Sequence, residues 1–124
     1  MGGNAAAQSF AIMVRGITLG TVSFENAKPA IWREFLAGIV NGIIIGSIVS
    51  IISAIWNWEP ILGLVVGLAL VGAHIVAALA GSIIPLIMKH LGKDPAATST
   101  IFITTVTDVF GIFFLLGFAS LFLL

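Results

Sequence analysis

Long apolar stretches dominate the pattern of this 124-residue chain, and they predict four membrane-spanning helices. Residues 35–58 and 60–88 contain no charged side chain, whereas residues 1–24 and 95–124 contain one each. About 20 apolar residues suffice to cross the hydrocarbon core as a helix, and continuous apolar runs without period-two alternation argue against strands. We therefore predict an all-α integral membrane protein, a bundle of four transmembrane helices. The predicted spans are about 3–22, 35–56, 61–88 and 98–122.

The composition excludes several other classes of protein. Hydrophobic residues make up 60% of the chain and charged residues 8%, where about 25% charged is usual for a soluble domain. Because the net charge is zero, the chain cannot neutralise a row of phosphates, and no nucleic-acid partner is expected. Without cysteine, disulfides and thiolate metal sites are absent. Residues 1–124 are predicted to form a single transmembrane domain with the lipid bilayer as its surroundings.

The basic residues predict the orientation in the membrane. Of the three predicted connections, the first and the third (residues 89–98) carry or flank all of them: Arg15, Lys28, Arg33, Lys89 and Lys93. The first connection, residues 23–34, contains the helix interrupter Pro29. The second, residues 57–60, is short and has no basic residue, so it should join antiparallel neighbours. By the positive-inside rule the basic loops are cytoplasmic, which places both termini outside a multi-pass protein of the cell (plasma) membrane.

Small and polar residues within the apolar helices indicate how these helices pack. Five small residues recur every four positions in the second predicted helix: Gly38, Gly42, Gly46, Ser50 and Ala54. Such stripes let helix backbones approach closely in lipid, so we interpret them as helix-packing residues rather than as part of a conduction path. Asn41 and His74 are lone polar residues, interpreted as interhelical hydrogen-bonding groups rather than as ligands.

Asp108 is the outlier, because it lies near the middle of the last predicted helix. A charged side chain at the bilayer centre costs roughly 2.5–3.5 kcal/mol on insertion scales, and such residues usually face a bundle interior or a water-filled path. Thr100 and Thr104 share its face at four-residue spacing, and further oxygen atoms come from Thr105 and, in the first helix, from Asn4 and Gln8. Oxygen ligands suit hard cations such as magnesium. A protonated structural acid is the alternative interpretation of Asp108.

Motifs for enzymatic chemistry are missing from the sequence. It contains no HExxH, no GxSxG elbow and no phosphate-binding glycine-rich loop followed by lysine. His74 and His90 are isolated, and neither has a second ligand at helical spacing. We therefore predict that the chain is not an enzyme.

Four segments in order resemble the membrane domain of the MgtE family of magnesium channels and transporters. Residues 3–8, GNAAAQ, resemble the family signature GNAGxQ, and Val14-Arg15-Gly16 followed by Gly20 resembles its VRG-x3-G continuation. Residues 92–96, GKDPA, resemble the G-x-DPA segment, and residues 102–111, FITTVTDVFG, resemble F-x-TT-x2-D-x2-G. The family also has a membrane helix before GNA and cytoplasmic sensor domains. The printed sequence contains neither, so we do not extend magnesium-dependent gating to it.

The resemblance implies a homodimeric pore for divalent cations, with Mg²⁺ as the transported ion and Mn²⁺ or another divalent cation as the alternative. It implies that Asp108 binds the hydrated ion, that the backbone carbonyl of Thr104 lies beside it, and that Asp94 lies at the cytoplasmic mouth. The first and last helices would line the pore. The candidate pore-lining residues are Asn4, Gln8, Thr100, Thr105 and Gly111.

Two other functions compete with a divalent-cation pore. A proton-coupled small multidrug-type exporter is also a dimer of four-helix chains, but it would need an acid in the first helix, which here has only Arg15 as a charged residue. A non-transporting membrane assembly subunit would use the glycine stripe alone. Loss of magnesium transport on changing Asp108 would separate the first hypothesis from both.

Overall fold

The computed structural model describes residues 2–57 and 60–123, which are helical throughout apart from the connections and contain no strand. The prediction of an all-α protein is therefore confirmed for this part of the chain. Its elements are α1 (Gly2–Thr18), a short 3-10 turn (Phe24–Asn26), α2 (Lys28–Asn57), α3 (Pro60–His90) and α4 (Pro95–Phe122).

Three helices in the described residues are long and apolar enough to cross a membrane: α2, α3 and α4. Helix α1 has 17 residues, so it extends roughly 25 Å at 1.5 Å per residue, slightly less than a hydrocarbon core of about 30 Å. It ends at Thr18 because Gly20 adopts a left-handed φ of 77° and the Val22 amide turns back to donate to the Gly16 carbonyl, at 3.1 Å. The predicted span of 3–22 is therefore too long, and a crossing by α1 remains a prediction.

Helix α2 begins at Lys28, within the segment predicted as a loop. Pro29 lies in its first turn, where a backbone N–H has no intrahelical acceptor and proline is tolerated. The prediction that Pro29 interrupts the helix is therefore wrong. At the other end of α2, Trp58 and Glu59 of the predicted second connection lie outside the described residues.

Helix α3 is the centre of the fold and packs against α1, α2 and α4. It runs antiparallel to α2, since Gly42 of α2 lies against Val71 and Gly46 lies against Gly67, whereas Gly63 lies against Ser50. A Cβ atom built on Gly46 would lie 2.9 Å from the Gly67 carbonyl oxygen. Because the glycines at this contact have no side chains, the two helices can approach each other this closely.

The turn between α3 and α4 combines a glycine stop with a capped start. Gly92 has a φ of 80°, and the Lys93 amide donates to the Met88 carbonyl at 2.9 Å, which closes the last turn of α3. Asp94 is the N-cap of α4, where its carboxylate accepts from the Ala96 amide at 3.1 Å. With Pro95 as its first residue, α4 starts three positions before the predicted residue 98.

Among the described residues, two buried clusters connect the helices. One joins α1, α3 and α4 through Ala6, Ala77 and Ile103, and the other joins α1 and α3 to the start of α2 through Met13, Ala27, Ala30 and Leu86. Ala6 and Met13 are fully buried, so one face of α1 is fixed against the rest of the protein. The opposite face, which carries Asn4 and Gln8, remains exposed.

Candidate functional site

Helix α4 has a buried stripe beside an exposed polar one. The buried stripe consists of Ser99, Ile103 and Thr107. Thr100, Thr104 and Asp108 each follow a buried residue by one position, which rotates them by about 100° around the helix axis. All three are exposed in the single chain. The predicted polar strip therefore points away from α1, α2 and α3 rather than into the interior of one chain.

Asp108 lies midway along α4, within the segment apolar enough to cross the membrane. Its neighbours Val109 and Phe110 are exposed as well. An ionised carboxylate on such a surface is costly in lipid, and intramembrane acids almost always face a bundle interior or water. In a single chain, Asp108 is therefore unfavourably placed unless a second protein surface or a water-filled space separates it from lipid.

The threonine hydroxyl groups around this strip are partly used by the helix itself. Thr105 donates to the Ile101 carbonyl at 2.8 Å, so its hydroxyl proton is held by the backbone. Thr107 lies close to two acceptors, the carbonyl of Ile103 at 2.9 Å and that of Thr104 at 3.0 Å. The family resemblance implies that the Thr104 carbonyl lies beside the ion, and the hydroxyl of the buried Thr107 lies within hydrogen-bond distance of that carbonyl.

Gly111 lies one turn beyond Asp108 and leaves space on the same helix. A Cβ atom built there would meet nothing within 4 Å in the single chain. Beyond this glycine, α4 becomes aromatic, and Phe114 fits against Gly72 of α3, where an added Cβ would meet the ring at 3.0 Å. This close packing fixes the C-terminal half of α4 against α3.

The residues of α1 predicted to line the pore share a cavity with two residues that the sequence pattern indicates as interhelical hydrogen-bonding groups. Asn4 and Gln8 lie beside Asn41 of α2 and His74 of α3 around one cavity. None of the described residues that line this cavity belongs to α4. The signal for Asn41 and His74 was present in the sequence, since each is a polar residue in an apolar helix. Sequence alone could not show that they lie on the side of α1 that carries Asn4.

Asp94 lies away from the polar strip, at the exposed start of α4. The first and third connections meet at this end of the protein, where Ser23 and Glu25 line a cavity of about 390 Å³ together with Lys89 and His90. The two connections that carry or flank the basic residues are therefore adjacent. Which side of the membrane they face stays a prediction from the charge pattern.

No group of three or more His, Asp or Glu side chains that could hold a metal ion occurs within residues 2–57 and 60–123. Within these residues Asp108 therefore does not belong to a three-ligand cluster that could complete an ion site. Carbonyl oxygen atoms and a second copy of the strip remain as sources of further ligands.

Comparison with known proteins decides the family. The family model for MgtE, described as a divalent cation transporter, matches residues 1–118. The chain belongs to the MgtE family. Three magnesium transporters named MgtE are similar to it over 98–99% of its length. The proteins of Enterococcus faecalis, Bacillus subtilis and Thermus thermophilus are 39%, 33% and 30% identical to it.

The chain spans 27% of the length of each of these MgtE relatives. Together with the three long apolar helices, family membership identifies a multi-pass membrane protein. Members of the family are transporters rather than enzymes, in agreement with the prediction from the missing motifs.

Proposed function

We propose that two copies of this chain form a pore that carries magnesium across the membrane, with Asp108 of each copy binding the hydrated ion. The observation that carries the proposal is the exposure of Asp108, Thr104 and Thr100 on one face of a helix that is long enough to span the bilayer. A polar face of this kind is unfavourable against lipid. Facing a second copy across water removes that cost.

Two carboxylates at the axis of a dimer give the pore a preference for cations. They repel each other unless a cation lies between them, and a divalent ion compensates both charges at once. Magnesium gives up its water reluctantly and usually keeps several waters. The carboxylates would therefore hold the ion through its water shell, with the Thr104 carbonyl as a further acceptor, which suits a site that must release the ion again.

Helix α1 would form the other part of the pore wall. Its buried face holds it against α3 and α4 through Ala6, so Asn4 and Gln8 are presented on the opposite, exposed face. In the proposed orientation both termini lie outside, and the basic connections and Asp94 lie at the cytoplasmic mouth. Inward flow of Mg²⁺ is then driven by the membrane potential, at about 2.3 kcal/mol per charge per 100 mV.

The test is magnesium uptake into liposomes that contain the purified chain, with an internal magnesium-sensitive dye. Asp108→Asn should reduce the initial uptake rate to the level of protein-free liposomes, because the amide keeps the shape and removes the charge. Glu25→Gln is the matched control, since Glu25 is an exposed acid of the first connection, and its uptake should equal that of the unmodified chain.

Undiminished uptake by Asp108→Asn, with correct insertion of both variants, would contradict the proposal. An unmodified chain that inserts and assembles but gives no uptake would support the competing hypothesis of a non-transporting assembly subunit.

A further inference from the structure

A polar cavity of about 300 Å³ lies between α1, α2 and α3, separate from the Asp108 strip. It is lined by Asn4, Gln8, Asn41 and His74, together with Ala5 and Ile45. All four polar side chains are amides or imidazole, and two of them, Asn41 and His74, lie in helices that are otherwise apolar enough to cross the membrane. Polar groups at such depth are costly unless they bind water, a ligand or each other.

His74 is the most buried of the four, with 2% of its surface exposed. Its Nδ1 atom lies 2.7 Å from the Leu70 carbonyl oxygen. Because a carbonyl can only accept, Nδ1 carries the proton and donates, and in the neutral ring the lone pair is then on Nε2. The neutral ring therefore keeps Nε2 as a hydrogen-bond acceptor, and His74 is one of the residues that line the cavity.

The packing of α2 brings Asn41 to the same place. Gly42, the next residue, lets α2 approach α3 so closely that an added Cβ would lie 3.1 Å from the Cβ of His74. The glycine stripe thus has a second consequence besides packing, since it places an amide of α2 beside an imidazole of α3. Asn4 and Gln8 close the third side from α1.

The acceptors of this cavity match the outside of a hydrated cation, and the amide N–H groups remain free to donate to water or to carbonyl groups. A hexahydrated divalent cation presents only O–H donors on its outside, and the cavity supplies amide oxygens and an imidazole nitrogen as acceptors. Six waters at about 30 Å³ each occupy roughly 180 Å³, which is less than the cavity volume of about 300 Å³. No carboxylate is found among its described lining residues, so direct coordination of a dehydrated magnesium ion is not favoured here.

We propose that this cavity is a second cation site, which holds a hydrated divalent ion through hydrogen bonds from its water shell to Asn4, Gln8, Asn41 and His74 Nε2. The inference rests on the proposed function for the identity of the ion. Since Asn4 and Gln8 also belong to the proposed pore wall, the site lies beside the pore. An uncharged site binds weakly and releases quickly, as expected for an ion in transit.

The experiment uses the full chain in lipid nanodiscs with ¹⁵N-labelled histidine. The chain has two histidines, so His74 can be followed by NMR with the exposed His90 as internal control. The probes are Mg²⁺ and hexaamminecobalt(III), an exchange-inert complex that binds only through its outer N–H donors. Both should shift the Nε2 signal of His74 saturably, and both shifts should persist in Asp108→Asn.

Asn41→Ala should weaken the response of His74 about fivefold, as expected for one lost hydrogen bond. Asn26→Ala, which removes an amide from the first connection, should leave it unchanged. A His74 signal that moves with neither probe, or only with a metal that binds imidazole directly, such as Ni²⁺, would overturn the inference and leave a cavity that holds water alone.

Loss of the shift in Asp108→Asn would also overturn it, because His74 would then only sense the other site. The uptake rate of Asp108→Asn tests the proposed function separately. Normal uptake by that variant with a persistent His74 response would contradict the Asp108 pore and leave the cavity as a cation site.

Discussion

Replacing Gly63 by alanine should destabilise the α2–α3 pair, although alanine is the better helix former. The new Cβ would lie 2.5 Å from the backbone oxygen of Ser50 and 3.1 Å from the Cβ of Ala54. Carbon contacts are favourable at about 3.5–4.0 Å, so the nearer atom is roughly 1 Å too close. It belongs to the backbone of α2, and a change of side-chain rotamer cannot relieve the overlap. The helices must move apart.

The size of the effect follows from two opposing contributions. Overpacking a close contact costs about 1–3 kcal/mol, and a clash with backbone belongs at the upper end. Exchanging glycine for alanine within a soluble helix gains about 1 kcal/mol. The net expectation is a loss of about 2 kcal/mol in the free energy of unfolding, or roughly a 30-fold shift of the equilibrium.

Gly117→Ala is the matched control, because a Cβ atom there meets nothing within 4 Å. It should keep the helix gain without the clash and so be as stable as the unmodified chain or up to about 1 kcal/mol more stable. Both variants can be unfolded reversibly in mixed micelles with increasing SDS, with helix content followed by circular dichroism. Equal stability of Gly63→Ala and Gly117→Ala would refute the packing argument.

Three further predictions follow from the turn, the cap and the exposed strip. Gly92→Ala should cost about 1–2 kcal/mol in the same unfolding assay, because the φ of 80° at this position is strained for alanine. The added Cβ would meet no described neighbour within 4 Å, so the cost reports the backbone conformation alone. An unchanged midpoint would contradict this. Asp94→Ala should cost about 1 kcal/mol through loss of the α4 cap, whereas Asp94→Asn should cost almost nothing because asparagine caps equally well; equal losses would disprove the capping role. The chain has no cysteine, so a single introduced cysteine can be crosslinked specifically with a short bis-maleimide. Two copies of Thr104→Cys should be crosslinked and two copies of Ile103→Cys should not, since Thr104 is exposed and Ile103 is buried. The reverse pattern on a denaturing gel would rule out the proposed dimer face.

The helices could be predicted from sequence because apolar length is a local property. Helix α3 was predicted at 61–88 and lies at Pro60–His90, since both of its ends are marked by proline, glycine or charge. The errors lie at the end of α1 and at the starts of α2 and α4. Proline usually interrupts a helix, but Pro29 lies in the first turn of α2, where it is tolerated. Helix α1 stops at Thr18 because Gly20 reverses the chain by a backbone conformation that hydrophobicity does not report.

The strip on α4 could be predicted for a similar reason, since Thr100, Thr104 and Asp108 share a face by helical spacing alone. The direction in which that face points could not be predicted, because it depends on how Ile103 packs against α1 and α3. The cavity around His74 depends on three helices whose relative positions the sequence does not state. Asn41 and His74 were therefore seen as polar residues, but not as neighbours of Asn4.

Counting bound ions per chain tests the central claim most directly. Mn²⁺ binding to the chain in nanodiscs can be followed by the loss of the free-ion EPR signal, with Mg²⁺ as competitor. If Asp108 residues of two copies share one ion, the tightest component should saturate at one Mn²⁺ per two chains, be displaced by Mg²⁺ and vanish in Asp108→Asn. Binding that survives unchanged in Asp108→Asn, or an Asp108-dependent component of one ion per chain, would contradict the account.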